Sequence, residues 1–178
     1  MTAVATAGGR AAGGDQMRRF LIVANQTLGG DTLLDAVRER IRQGPCEFWV
    51  VVPATPPAQL TPPRSPGGSR MPATPRAAGP AEDRTAAQRR LRQGLTRLRE
   101  AGATADGEVG AGSPLQAVGE CLARRPFDEI ILSTLPSGAS RWLRQDLPRR
   151  MVRRYGLPVT HLVTDLPPFF RAAGPPSS

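Results

Sequence analysis

Two short stretches hold the residue types that could do chemistry. One is Asn25-Gln26-Thr27-Leu28-Gly29-Gly30, which follows the apolar run Arg19-Phe20-Leu21-Ile22-Val23-Ala24. The other is Ser133-Thr134-Leu135-Pro136-Ser137-Gly138-Ala139-Ser140, which follows Asp128-Glu129-Ile130-Ile131-Leu132. Hydroxyls, side-chain amides and glycine-freed backbone N–H groups are what a small anion or a nucleotide monophosphate needs, above all where a helix starts beside them. Asn25, Gln26, Thr27, Gly29, Gly30, Ser133, Thr134, Ser137, Gly138 and Ser140 form the candidate ligand-binding set, with Arg141 and Arg144 near. The same residue types also cap helices and shape turns, so a purely architectural role stands beside the functional one.

Other chemistry finds little support. His161 is the only histidine and sits inside an apolar run, the pattern of a sheet residue rather than a general base. Cys46 and Cys121 form no CxxC pair and no set with metal spacing, so they read as buried free thiols and no metal site is expected. There is no P-loop, no G-x-G-x-x-G after the first apolar run and no G-x-S-x-G elbow. The chain has no lysine, which excludes a Ser–Lys pair. The expectation is a protein with no catalytic residues and no cofactor.

The formal net charge of +9 rests on 24 arginines. A nucleic-acid binder usually adds a basic stripe, aromatic platforms or a reading motif. Here aromatics make up 4% and the arginines are spread along helices and loops, so nucleic acid is disfavoured, and GC-rich coding explains the composition. Arg141, Arg144, Arg149, Arg150, Arg153 and Arg154 share one region with Trp142 and Tyr155, either a basic surface or a solvated helix face. No apolar run reaches the roughly 20 residues of a membrane-spanning helix. The start has no signal-peptide pattern, which places the protein in the cytoplasm as an expectation.

The elements that must position the two loops are legible. Near-continuous apolar runs at residues 19–24, 47–52 and 128–132 read as strands covered on both faces, with a weak edge strand at 103–109 and a closing strand at 157–163. Helical spacing appears at Leu33, Leu34, Val37 and Ile41, at Leu91, Leu95 and Leu98, and at Leu115, Val118, Cys121 and Leu122. Asp31 or Thr32 is expected to cap the first helix, and Ser113-Pro114 to open the third. A last helix over residues 140–155 should kink at Pro148 or break in two. Residues 53–80 are dense in Pro, Gly, Ser and Thr and read as a long insertion; residues 1–17 and 166–178 read as disordered tails of a domain spanning 18–165. Strands alternating with helices imply a doubly wound parallel sheet in three α/β/α layers, Rossmann-like, with ligands beyond the carboxyl ends of the strands.

The motifs in order resemble the universal stress protein family. Val109-Gly110-Ala111-Gly112-Ser113-Pro114-Leu115-Gln116-Ala117-Val118 is similar to its "G-x-P-x-x-A-I" helix start, Phe127-Asp128-Glu129-Ile130-Ile131-Leu132-Ser133 to its "A-D-L-I-V-V-G" strand, and Leu157-Pro158-Val159-Thr160-His161-Leu162-Val163 to its "C-P-V-L-V-V" strand. The resemblance implies a five-stranded sheet of order 3-2-1-4-5. ATP-binding members carry G-x2-G-x9-G-[S/T] after the fourth strand; laid on this chain, the glycines fall near Ser133, Pro136 and Asp146 and the hydroxyl at about Leu147. The aspartate such members use after the first strand is replaced by Asn25. Pro136 has no N–H and Asp146 would repel phosphate, so the resemblance implies the fold without the usual ATP site.

The combined expectation is a non-catalytic, stress-protein-like regulatory domain that binds a small anion or nucleotide between strands 1 and 4. A ligand-free interaction module, for example one serving a transporter, and a basic nucleic-acid-associated protein are the alternatives. The closing strand lies at a sheet edge, which needs cover. A homodimer through Val159, His161 and Val163 supplies it, as the resemblance also implies.

Overall fold

The computed structural model describes residues 17–54, 80–135 and 146–163. Five parallel strands form one sheet: β1 (Arg18–Val23), β2 (Cys46–Pro53), β3 (Ala105–Gly110), β4 (Glu129–Thr134) and β5 (Val159–Val163). Their order is β3-β2-β1-β4-β5, so the chain reverses direction across the sheet between β1 and β4. Four helices are described: α1 (Asp31–Arg42), α2 (Pro80–Glu100), α3 (Pro114–Arg124) and α4 (Leu147–Tyr155).

Each strand feeds two cores, which is why the apolar runs are continuous rather than alternating. Phe20, Ile22, Val50, Val52 and Ile131 pack with Leu33 and Val37 of α1 and Leu91, Leu95 and Leu98 of α2. Leu21, Val23, Val51, Ile130 and Leu132 pack with Val118 and Cys121 of α3 and Leu147 and Met151 of α4. The three-layer α/β/α architecture follows from these two faces.

The boundaries depart from the sequence reading where backbone chemistry decides. α1 is capped at Gly30, not at Asp31 or Thr32: Gly29 turns the chain at φ +86°, and the Gly30 carbonyl accepts from the amides of Leu33 and Leu34 at 3.1 Å each. The strand expected from Ala103 begins at Ala105, because the Ala103 amide still donates to the Leu98 carbonyl of α2 at 3.0 Å. β2 runs through Pro53, paired with Gly110, and Pro80 lies inside α2, so both ends of the supposed insertion belong to elements. β4 runs to Thr134 rather than Leu132, since Ser133 and Thr134 pair with Leu162 and Val163. Pro148 causes no kink: α4 starts at Leu147, and a proline in the first turn loses no helical hydrogen bond. The tails, residues 55–79, and the expected helix start at residues 140–145 lie outside the described residues.

Candidate functional site

β1 and β4 are neighbours, so Asn25, just past β1, and Ser133 and Thr134, at the end of β4, meet at the point where the strand order reverses. All are buried, as is Thr27. The Thr27 hydroxyl donates to the Ser133 carbonyl at 3.0 Å, tying the two loops together. The Asn25 amide donates to the Pro53 carbonyl at 3.1 Å, which ties β1 to the end of β2. Gln26 is half-buried, and Gly29 and Gly30 are buried in the turn into α1. Ser137, Gly138 and Ser140 lie outside the described residues, as do Pro136, Arg141, Trp142 and Arg144.

Two arginines of α2 complete this region, and sequence reasoning missed them. The Arg90 guanidinium donates to Asn25 Oδ1 at 2.9 Å, and that of Arg97 donates to the Gly29 carbonyl at 2.7 Å. The signal lay in their spacing: seven residues apart, each flanks the buried Leu91–Leu95–Leu98 stripe, so both share one edge of the helix face that meets the core. Between them, Gly94 leaves room for Leu28, which is 1% exposed; a Cβ at Gly94 would stand 2.2 Å from Leu28 Cγ. The loop after β1 is therefore clamped against α2 by one apolar plug and two charged hydrogen bonds.

The electrostatics favour an anion here, with one exception. Arg90 brings a cation to the carboxyl end of β1, and α1 points its amino end, with its positive partial charge, toward the same loop. Asp31 in the first turn of α1 opposes it. At β5, His161 Nε2 is 2.8 Å from the Thr134 hydroxyl, and burial holds its imidazole below the usual 6.5. Thr134 is therefore engaged by a ring nitrogen, and its hydroxyl proton points according to the tautomer of His161.

The edge expected at β5 is present. Val159 packs against the α3–α4 core, His161 turns to Thr134 on the same face, and Val163 is 48% exposed. Asp146, where the resemblance put the third glycine, has φ +50°, a left-handed backbone that glycine adopts without strain. Leu147, where the resemblance put the closing hydroxyl, is buried in the core instead.

No reactive thiol appears. Burial and the hydrogen bond to Glu108 push Cys121 up to about 12, and burial also raises Cys46. Among the described residues no group of three or more His, Cys, Asp or Glu could hold a metal ion, and no helix is long and apolar enough to cross a membrane.

No family model and no curated protein matches the sequence. Solved structures do match. The structure of a universal stress protein from Archaeoglobus fulgidus aligns with a TM-score of 0.50 at 15% identity, covering 81% of this chain and 92% of that one. The universal stress protein from Archaeoglobus fulgidus in complex with dAMP aligns with a TM-score of 0.51 at 17% identity, over 82% of this chain and 97% of that one. A universal stress protein in complex with cAMP aligns at 0.50 and 17%, over 83% and 98%. The chain has the universal stress protein fold, as its strand order and motif succession implied.

Proposed function

We propose that this chain is a non-catalytic regulatory domain of the universal stress type, which binds a small anionic or nucleotide ligand at the switch point between β1 and β4. The observation that carries the reading is Arg90, held by Asn25 at the carboxyl end of β1 beside the hydroxyl-bearing end of β4. The solved proteins of this fold that carry dAMP and cAMP support the same ligand class, since each of those ligands has a single phosphate. Mg-ATP is not the ligand. Asp146 and the buried Leu147 stand where a triphosphate loop would need a glycine and a hydroxyl. The domain works as a homodimer joined through the β5 edge at Val159, His161 and Val163, which covers unpaired strand backbone.

A second reading is a ligand-free interaction module. It is favoured by the internal use of Asn25 and Thr27, whose polar atoms already serve Pro53, Arg90 and Ser133. Thermal denaturation with AMP, cAMP, inorganic phosphate and Mg-ATP separates the two. A ligand present at a hundredfold excess over its dissociation constant stabilises the fold by about 2.7 kcal/mol. The ligand reading expects that upward shift for a monophosphate and none for Mg-ATP. No shift with any of the four leaves the interaction module, and a shift confined to Mg-ATP overturns the argument from Asp146 and Leu147.

A further inference from the structure

The arginine cluster of residues 149–154 lies on one short helix, α4. Its nine residues carry Arg149, Arg150, Arg153 and Arg154, all exposed, and no acidic residue. Leu147 and Met151 are buried in the core, the Tyr155 hydroxyl donates to the Leu115 carbonyl of α3, and Val152 is 46% exposed among the arginines. The outward arc is therefore four guanidinia around one exposed valine. Their described contacts are slight: Arg149 lies 3.9 Å from the Asp146 carboxylate at the cap, and Arg154 lies 5.8 Å from the Tyr155 ring centroid.

α1 is built otherwise. On α1, Arg38 pairs with Asp35, Arg42 with Glu39, and Arg40 turns inward to Glu129, so that helix is close to neutral outside. α4 instead places like charges four residues apart at 149/153 and at 150/154, a spacing that destabilises a helix. Arg149 and Arg150 also stand in the amino-terminal half, against the helix dipole, where stability favours acidic residues. Arginine suits a helix and the last turn suits Arg153 and Arg154, but the i,i+4 repulsion and the placement of Arg149 and Arg150 oppose the fold, which points to a use of the charge beyond it.

We propose that the outward face of α4 docks the phosphate backbone of a nucleic-acid duplex, without reading its sequence. Guanidinium forks match phosphate oxygens bidentately. Residues four apart on a helix rise by about 6 Å, so the two arginine pairs form two short rows able to follow a phosphate chain. An anionic membrane fits less well, because Val152 is the one apolar side chain α4 leaves exposed, too little to anchor in lipid. Base stacking is not expected, since the one aromatic ring on α4, Tyr155, is tied to α3.

The test is fluorescence anisotropy of a labelled DNA duplex titrated with the full chain across a salt series. Four phosphate contacts predict a slope of log K against log salt of about −3.6. Replacing Arg149, Arg150, Arg153 and Arg154 by Gln should weaken binding by about tenfold or more at physiological salt and flatten the slope. Replacing them by Lys should keep most of it. The matched control replaces Arg38, Arg84, Arg89 and Arg92 by Gln, removes the same charge from other exposed positions, and should change binding by less than about threefold. On the unmodified protein, duplex should protect the four α4 arginines from phenylglyoxal. Equal losses in the two Gln variants, absence of protection, or stronger binding to phosphatidylserine vesicles than to duplex would overturn the proposal.

Discussion

Gly94→Ala places one methyl group where Leu28 already sits. An ideal Cβ there lies 2.2 Å from Leu28 Cγ and 2.4 Å from Cδ2, and Leu28 is 1% exposed with no open side to retreat to. Two effects compete. Alanine is the better helix former by about 1 kcal/mol, and overpacking a filled core costs about 1–3 kcal/mol. The net is a destabilisation of up to about 2 kcal/mol, or a fall in melting temperature of about 2–4 °C per kcal/mol for a chain of this size. The loop after β1 must shift, so Arg90 and Arg97 lose their partners on it and monophosphate binding should fall with stability. Leu28→Ala removes the obstructing atoms. In that background the clash is absent, and Gly94→Ala should become stabilising by about 1 kcal/mol. Chemical denaturation of the four proteins in this cycle measures the sign change. If Gly94→Ala stabilises the unaltered chain, or if its effect is the same in both backgrounds, Leu28 does not plug α2 as described.

Three further outcomes follow from single contacts. Glu129→Ala should cost about 3–5 kcal/mol, because it strands Arg40, whose side chain is 13% exposed and whose Nε has no partner among the described residues; replacing both by Leu and Met should cost much less by denaturant melts. Asp146→Gly should raise stability by about 1 kcal/mol in the same assay, since it relieves a left-handed backbone and removes no capping hydrogen bond. His161 has its folded value held below 6.5, so its contribution is complete above pH 6.5 and is lost as pH falls through the folded value. Melts from pH 8 down to pH 5 should fall more steeply for the unaltered chain than for His161→Gln.

The fold was legible because burial on two sheet faces leaves a strong signature. Runs such as Phe20-Leu21-Ile22-Val23 and Trp49-Val50-Val51-Val52 cannot be solvated strands, and helical spacing between them fixes the alternation. The candidate site was legible only in part. Hydroxyl and amide residues pointed to two loops that the sheet brings together, but composition could not show that Thr27 and Asn25 would be turned inward onto Ser133 and Pro53. Arg90, Arg97 and Arg40 were missed for one physical reason. A long arginine stem can cross apolar surface and deliver its charge well away from its own Cα, so pattern reading counts it as solvent-facing. Arg40 reaches Glu129 and the Thr160 hydroxyl by this route, the latter at 3.2 Å. At Pro148 the sequence reading expected a kink or a break, and the described helix indeed begins at Leu147, because a proline that forbids a helix interior is at home in a first turn.

The site of monophosphate binding is the most direct test of the ligand reading. Titration of the isotopically labelled protein with AMP, followed by backbone amide resonances, locates the contact residue by residue. Binding at the switch point predicts saturable shifts at Asn25, Gln26, Gly29 and Gly30, with Ser133 and Thr134 moving on the same binding curve, and loss of those shifts in Arg90→Gln. Saturable shifts elsewhere on the fold, or none at these six residues at millimolar AMP, would contradict it.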